Sequence, residues 1–319
     1  MTPNEAKKPV AEVSGQTFKV SVILCAHNPR RDYLAATLES LRRQTLPFSE
    51  WEFIFVDNNS SPRLAEEISL DWHPNAKFVF ESESGLARAR VCGYRNSNGQ
   101  LVINSDDDNI LDEDYLERAW KVAELNPNIG TFGGQLFPEF EAEPGNEFER
   151  SLGGGREFDR ERWSNIPDDN RAMPFGAGMA IRREVVTEYL RQVAADPRRL
   201  GMGRTESRLL TGEDIDVNWV ATGMGFGTGL FPELRLKHFI PENKMSAEHL
   251  VRYAAGNAYS MVILHWLHYR EIKVTKKSAI GSLAYWIRVW LRMDSFSRSL
   301  ELAQVKARQN AIRDLKTYG

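Results

Sequence analysis

Cysteine is scarce in this chain. Two among 319 residues, Cys25 and Cys92, are too few for a disulfide framework and lack the spacing of metal ligands. Both read as core thiols of a protein kept in a reducing compartment. Long apolar runs are missing too: none approaches the ~18 residues that a membrane span requires. The segment from Met1 to Gly15 is polar and has no apolar centre of the kind a secretory signal carries. The expected location is the cytoplasm, either free or peripheral at the inner face of the membrane. No Walker-type phosphate loop occurs. The run from Gly223 to Gly229 has the wrong spacing for a dinucleotide fingerprint and follows a helix instead of opening one, so it reads as a helix stop and turn. Convincing internal repeats are absent, and nucleic acid is not an expected partner.

What remains is an ordinary globular composition, 42% hydrophobic and 27% charged, long enough for one large α/β domain with an appendage. The net charge of −3 conceals an asymmetry. From residue 251 onward, 12 Lys and Arg stand against 4 Asp and Glu, leaving +8 there and −11 in the first 250 residues. Trp266, Trp286 and Trp290 fall in the same basic part. This C-terminal region reads either as a helical cap packed by its own tryptophans or as helices presenting Trp and Lys/Arg to an anionic membrane surface.

The first hundred residues alternate. Strands are expected at Phe18 to Cys25, Trp51 to Val56, Lys77 to Phe80 and Leu101 to Ile103. Helices are expected at Asp32 to Gln44, Arg63 to Leu70 and Leu86 to Tyr94, the first with Tyr33, Leu34, Leu38 and Leu41 on one face. That βαβαβαβ order predicts a mostly parallel sheet with helices on both faces. Further on, helices are expected at Tyr115 to Leu125, Arg183 to Val193 and Glu213 to Thr222, and strands near Thr131 to Leu136, Phe175 to Ile181 and Leu230 to Phe239. Residues 141 to 172 read as a long surface loop with Trp163, able to close over a bound ligand. From Ser246 to the end the pattern is helical. The division is a segment at 1–17, a main domain at 18–245 and a helical region at 246–319.

Ligands of such sheets bind beyond the carboxyl ends of the strands, and polar clusters fall there: Ala26-His27-Asn28, Asp57-Asn58-Asn59 and Asp106-Asp107-Asp108. Three adjacent acids at a strand end repel one another, and a divalent cation with oxygen ligands, Mg2+ or Mn2+, offsets them. Asp is equally at home in turns and helix caps. Glu213 and Asp214 open a helix, where the dipole favours acids and where a general base is well held; Asp216 reads as structural. His238 becomes a metal ligand if the fold brings it to Asp108. Arg88 and Arg90 read as solvated charges or as neutralisers of a diphosphate. His265 and His268 read as packing residues on an apolar helix.

This ordered set resembles the family 2 glycosyltransferases. The segments that carry the resemblance are Val20 to Asn28; Gln44 followed by Phe55 to Ser60; Gly85 to Arg90; Asp106-Asp107-Asp108, followed by Asp114-Tyr115-Leu116; Gly212 to Asp216; and Pro232 to His238. Together they span about 18 to 240, and Val91 departs from the usual Asn. The resemblance implies the GT-A nucleotide-sugar-binding fold. It implies a donor pocket from Cys25, Ala26, Asn28, Asp57, Asp106 and Asp107, with Arg90 and Arg88 at the diphosphate. Asp108, with His238, would hold Mn2+ or Mg2+. Asp214 would act as the base, with Glu213 supporting acceptor placement, in an inverting transfer. The donor would be a UDP-, GDP- or dTDP-sugar and the acceptor a glycan or lipid-linked hydroxyl, in synthesis of a bacterial surface polysaccharide or glycolipid. A nucleotidyltransferase of similar fold, or a sugar-nucleotide-binding protein without turnover, are the alternatives.

Overall fold

The structure, a computed structural model, describes residues 17–152, 155–167, 169–204, 209–272, 285 and 289–317. The N-terminal segment before residue 17 and Trp286 lie outside the described residues. The chain opens with β1 (Val20–Ala26), α1 (Arg31–Arg42), β2 (Trp51–Asp57), β3 (Ala76–Phe80), α2 (Leu86–Arg95) and β4 (Leu101–Asp106). There follow β5 (Asn109–Leu111), α3 (Tyr115–Leu125), β6 (Ile129–Phe140), α4 (Asn146–Leu152), β7 (Arg162–Ser164), β8 (Ala180–Arg182) and α5 (Arg183–Ala195). The last elements are α6 (Glu213–Gly223), β9 (Gly227–Ile240), α7 (Ala247–Tyr269) and α8 (Ser295–Thr317).

One nine-stranded sheet runs in the order β3-β2-β1-β4-β8-β6-β9-β5, with β7 also on β9. The long pairings, β1 with β2 and β4, β2 with β3, and β6 with β9, are parallel. The antiparallel ones involve the short strands β5, β7 and β8. The central strands are buried on both faces, which is why they read as unbroken apolar runs. Val22, Leu24, Phe53 and Phe55 pack with Leu34, Leu41 and Leu116 of α1 and α3. The alternating residues Ile23, Ile54, Val56 and Val102 pack on the other face with Tyr94, Val185, Tyr189 and Val217 of α2, α5 and α6.

Four expectations change. The helix expected from Arg63 to Leu70 is a single 3-10 turn, Leu64–Glu66, whose first N–H is taken by the Asp57 carboxylate. The strand expected at Phe175 to Ile181 is reduced to β8, because Gly176 donates its N–H to a side chain, Asp214, and not to a strand. The stretch from 141 to 172 carries α4 and β7. Trp163 sits on β7, in register with Gly229, and is 69% exposed. The run expected from Gly223 to Gly229 to be a helix stop and turn is one only as far as Phe226, with Gly225 at positive φ, since Gly227 to Gly229 already belong to β9.

The C-terminal helices pack on this body. Trp219 of α6, Leu264 and Leu267 of α7, and Ala311 and Leu315 of α8 share one apolar cluster. Beneath it Asp216, fully buried, accepts from Arg199 and lies 2.6 Å from Nε2 of His268. His265 stacks edge-on near Trp219. Gly256 lets α7 seat against the chain before α6: a Cβ there would lie 1.9 Å from the Leu209 carbonyl oxygen. Gly256→Ala is therefore expected to lower stability by about 1–3 kcal/mol, as overpacking does. Urea unfolding of the two proteins measures it, and equal midpoints would contradict this seating.

Candidate active site

The carboxyl ends of β1, β2 and β4 stand side by side, with Cys25 in register with Asp106 and Ala26 with Asp57. The polar clusters read from the sequence therefore meet along one edge. A cavity of about 1060 Å³ opens there. Cys25, Ala26, Arg90, Asp106, Asp107, Asp108, Glu213, Asp214 and His238 all line it. Asn28, Asp57 and Arg88 do not.

Each of those three has another task. Both oxygens of Asp57 accept backbone N–H groups, from Ser60 at 3.0 Å and Leu64 at 2.9 Å. Asn28, at φ 45, ties β1 to the loop after β2 by accepting from Ser61 N–H and donating its own N–H to Ser60 Oγ. Arg88 points outward to Glu83 at 2.8 Å. The neighbouring Asn58 does line the cavity, and it fixes the start of α2 by accepting from Gly85 N–H at 2.7 Å.

Arg90 joins the two acidic motifs. One terminal nitrogen of its guanidinium donates to Glu213 at 2.9 Å and the other to Asp106 at 3.0 Å. Burial disfavours its charge, but Asp106 and Glu213 outweigh that and hold the proton firmly. Gly176 makes room for it, since a Cβ there would fall 2.6 Å from Nη1. The same glycine donates its N–H to Asp214 Oδ2 at 2.9 Å, while Oδ1 takes the Ile215 N–H. Burial pushes Glu213 up to about 7 against the pull of Arg90, and Asp214 adds to the rise. Burial and then Asp108 and Asp106 push Asp107 up to about 7. Burial likewise raises the Cys25 thiol far above its ordinary range, leaving it neutral.

β5 delivers His238. Asn109 is in register with His238 across β5 and β9, which places His238 Nε2 3.4 Å from Asp108 Oδ2. The Lys244 ammonium lies 3.1 Å from the same oxygen. Burial would raise Asp108, but His238 and Lys244 prevail and hold it well below the usual carboxylate range. Among the described residues no set of three or more His, Cys, Asp or Glu is arranged to hold a metal unaided. A carboxylate and an imidazole still suit Mn2+ or Mg2+, because such cations keep most positions for water and phosphate oxygens.

Sequence reasoning missed the other wall. His249, Tyr253, Asn257 and Met261, spaced four apart on α7, all face the cavity. Arg204 lies over the Tyr253 ring at 5.7 Å, and Asn257 accepts from Thr211 Oγ at 3.3 Å. The spacing of four was present in the sequence but lay inside an apolar helix, so nothing separated it from packing.

Against this geometry, the comparisons with known proteins agree. The family model described as "Glycosyl transferase family 2" matches residues 21–190, and the chain belongs to that family. An uncharacterised glycosyltransferase of Haemophilus influenzae is 36% identical over 110 residues, 34% of this chain and 36% of that protein. The glucosyl-dolichyl phosphate glucuronosyltransferase of Haloferax volcanii is 25% identical over 126 residues, 39% of this chain and 40% of that protein. The chain thus spans well under half the length of the curated relatives it matches. Among solved structures, S. aureus TarS 1-349 in complex with UDP-GlcNAc has a TM-score of 0.52 at 14% identity, covering 92% of this chain and 89% of that one. The mannosyltransferase PcManGT of Pyrobaculum calidifontis, in complex with GDP-Man and Mn2+, has a TM-score of 0.52 at 17% identity, covering 97% and 91%. The fold is GT-A.

Two outcomes test the Arg90 junction. Arg90→Ala leaves two carboxylates facing each other without their shared cation and is expected to lower stability in urea unfolding by up to about 3–5 kcal/mol, the penalty for breaking a fully buried pair. A pH series tests Glu213. Its pKa is raised from the ordinary value to about 7, so its contribution to stability is full below the ordinary carboxylate range and is lost as pH rises through 7. Wild type should therefore lose stability relative to Glu213→Gln between pH 5 and pH 8, read from melting temperatures in parallel buffers.

Proposed function

We propose that the protein transfers a sugar, with inversion, from a nucleoside-diphosphate donor to an acceptor hydroxyl. UDP-sugars stand first among the donors, with GDP- and dTDP-sugars next, and a glycan or lipid-linked hydroxyl as acceptor in cell-surface glycan or glycolipid synthesis. The observation that carries this reading is Arg90, which holds Asp106 of the aspartate run and Glu213 beside Asp214 on one guanidinium. The aspartate run on the donor side and the helix start that carries Asp214 are thereby fixed in a single cavity. Its volume of about 1060 Å³ lies at the upper end of the roughly 300–1,000 Å³ range of ligand pockets. The likeness to TarS and PcManGT, whose structures hold UDP-GlcNAc and GDP-Man, supports a nucleotide-sugar donor.

Asp108 and His238 would hold Mn2+ or Mg2+, which when bound supplies Lewis-acid stabilisation of the leaving diphosphate. Lys244 brings a second positive charge to the same place. It takes the part that the sequence assigned to Arg88 and Arg90, both of which are committed elsewhere. Asp214, aligned by the N–H groups of Gly176 and Ile215, accepts the proton of the attacking hydroxyl. Arg90 and Glu213 fix the start of the helix that carries it. Tyr253, Asn257 and Met261 of α7 form the wall that an acceptor would meet.

Calorimetric titration with UDP, GDP and dTDP, with and without Mn2+, is the first test. Binding of one nucleotide that requires metal and is lost in Asp108→Ala is expected; no binding of any to folded protein would sink the donor site. Asp214→Asn should bind that nucleotide normally yet lose about 100- to 10,000-fold in transfer. Lys244→Gln should weaken the nucleoside diphosphate about tenfold, the loss of a hydrogen bond to a charged group, while leaving the monophosphate unchanged.

A further inference from the structure

Among the described residues, the Arg and Lys side chains that line the cavity are Arg90, Arg156, Arg204 and Lys244, and their partners divide them in two. Arg90 is shared by Asp106 and Glu213, and Lys244 lies against Asp108. Arg156 and Arg204 form no ion pair with a carboxylate among the described residues; they meet carbonyl oxygens and aromatic rings instead. Three of the cavity's acids are thus matched with cations already. Of the other two, Asp107 is pushed toward neutrality and Asp214 accepts two backbone N–H groups.

Arg156 is held in place by neutral groups. Its backbone exchanges two hydrogen bonds with Leu136 of β6, both 2.9 Å. Its half-buried guanidinium donates to the Met173 carbonyl at 2.6 Å and to the Asn170 carbonyl at 2.8 Å, and lies 4.0 Å from the centre of the Phe175 ring. These contacts orient the fork without neutralising it, and they spend two of its five N–H groups. Burial works against its charge, and Asp214 is the acid whose field supports it. Phe175 directly precedes Gly176, whose N–H holds Asp214 at 2.9 Å, so one short segment links this guanidinium to the base. Arg204 comes from the side of α7. Its carbonyl accepts from Leu86 N–H at 3.0 Å, and its guanidinium lies 5.7 Å from the Tyr253 ring. A half-buried cation without a counter-charge is costly. At a cavity wall, an anion that enters the cavity is its natural complement, through short charge-assisted hydrogen bonds.

We propose that Arg156 and Arg204 form an acceptor subsite for an anionic group, so that the hydroxyl deprotonated by Asp214 belongs to an acidic sugar, one bearing a carboxylate or a phosphate, and not to a neutral one. The proposal rests on the reading of Asp214 as the base. The two guanidiniums belong to the segment and the helix that surround Asp214 and Tyr253, whereas the aspartate run has Lys244 and His238 beside it. The anion recognised by Arg156 and Arg204 is therefore the acceptor's and not the donor's diphosphate.

Ligand-observed NMR titrations of the full chain, with and without saturating UDP and Mn2+, test this with methyl glucoside, methyl glucuronide and glucose 6-phosphate. At least one anionic probe should bind about tenfold tighter than the neutral glucoside, the value of a hydrogen bond to a charged group, and should do so whether or not UDP is present. The tighter of the two identifies the anion as carboxylate or phosphate. Arg156→Gln and Arg204→Gln should each erase most of that preference, with affinity for the neutral glucoside and for nucleotide unchanged. Arg204 is exposed, so its variant decides the matter if melting curves show that Arg156→Gln does not fold. Equal affinity for the three probes, no binding of any, a preference that the folded variants retain, or displacement of the anionic probes by UDP would each overturn the proposal. Nucleotide binding is read in the same samples, so failure of the donor site and failure of the acceptor preference are told apart.

Discussion

Everything in the cavity depends on one buried cation. Arg90 is 4% exposed and shares its guanidinium between Asp106, at the end of β4, and Glu213, at the start of α6. A lone buried arginine would be costly, and so would two buried carboxylates. Together they are tolerable, and the forked geometry of the guanidinium fixes their separation in a way that a point charge could not. The first and second halves of the chain are thus locked together at the cavity. Gly176 completes the junction from the far side, giving Arg90 room and Asp214 a hydrogen bond.

The charges around this junction are uneven in a useful way. Asp108 is held ionised by His238 and Lys244, while burial leaves Asp107 and Glu213 pushed up toward neutrality. Of the three adjacent aspartates, the one beside His238 and Lys244 is therefore set apart from its neighbours. Asp107 relieves repulsion by holding a proton more readily. Asp106 is already paired with Arg90. A run that in sequence is three equivalent acids becomes three distinct groups, separated by their partners.

That difference marks what was legible beforehand. The strand ends were readable because period and composition report the parallel sheet, and a parallel sheet gathers its ligands at one edge. His238 was readable conditionally, and the pairing of β5 with β9 met the condition. Arg90 was found, but sequence shows only a cation on a helix after a glycine, not that Asp106 and Glu213 share it. For Asp57, likewise, sequence does not show that both its oxygens serve local N–H groups. Lys244 and the α7 row carried no signal at all. They act by position, and position comes from a seat that Gly256, Asp216 and Trp219 create far along the chain.

The C-terminal helices join the two proposals physically. α7 has one side in the cavity and another against α8. Its first turn follows directly on Lys244, which contacts Asp108. A displacement of α7 would therefore be felt at the donor phosphates and at the acceptor wall together. The buried pair of Asp216 with Arg199 and the adjoining His268 resist such displacement, and breaking a pair of that kind is expensive.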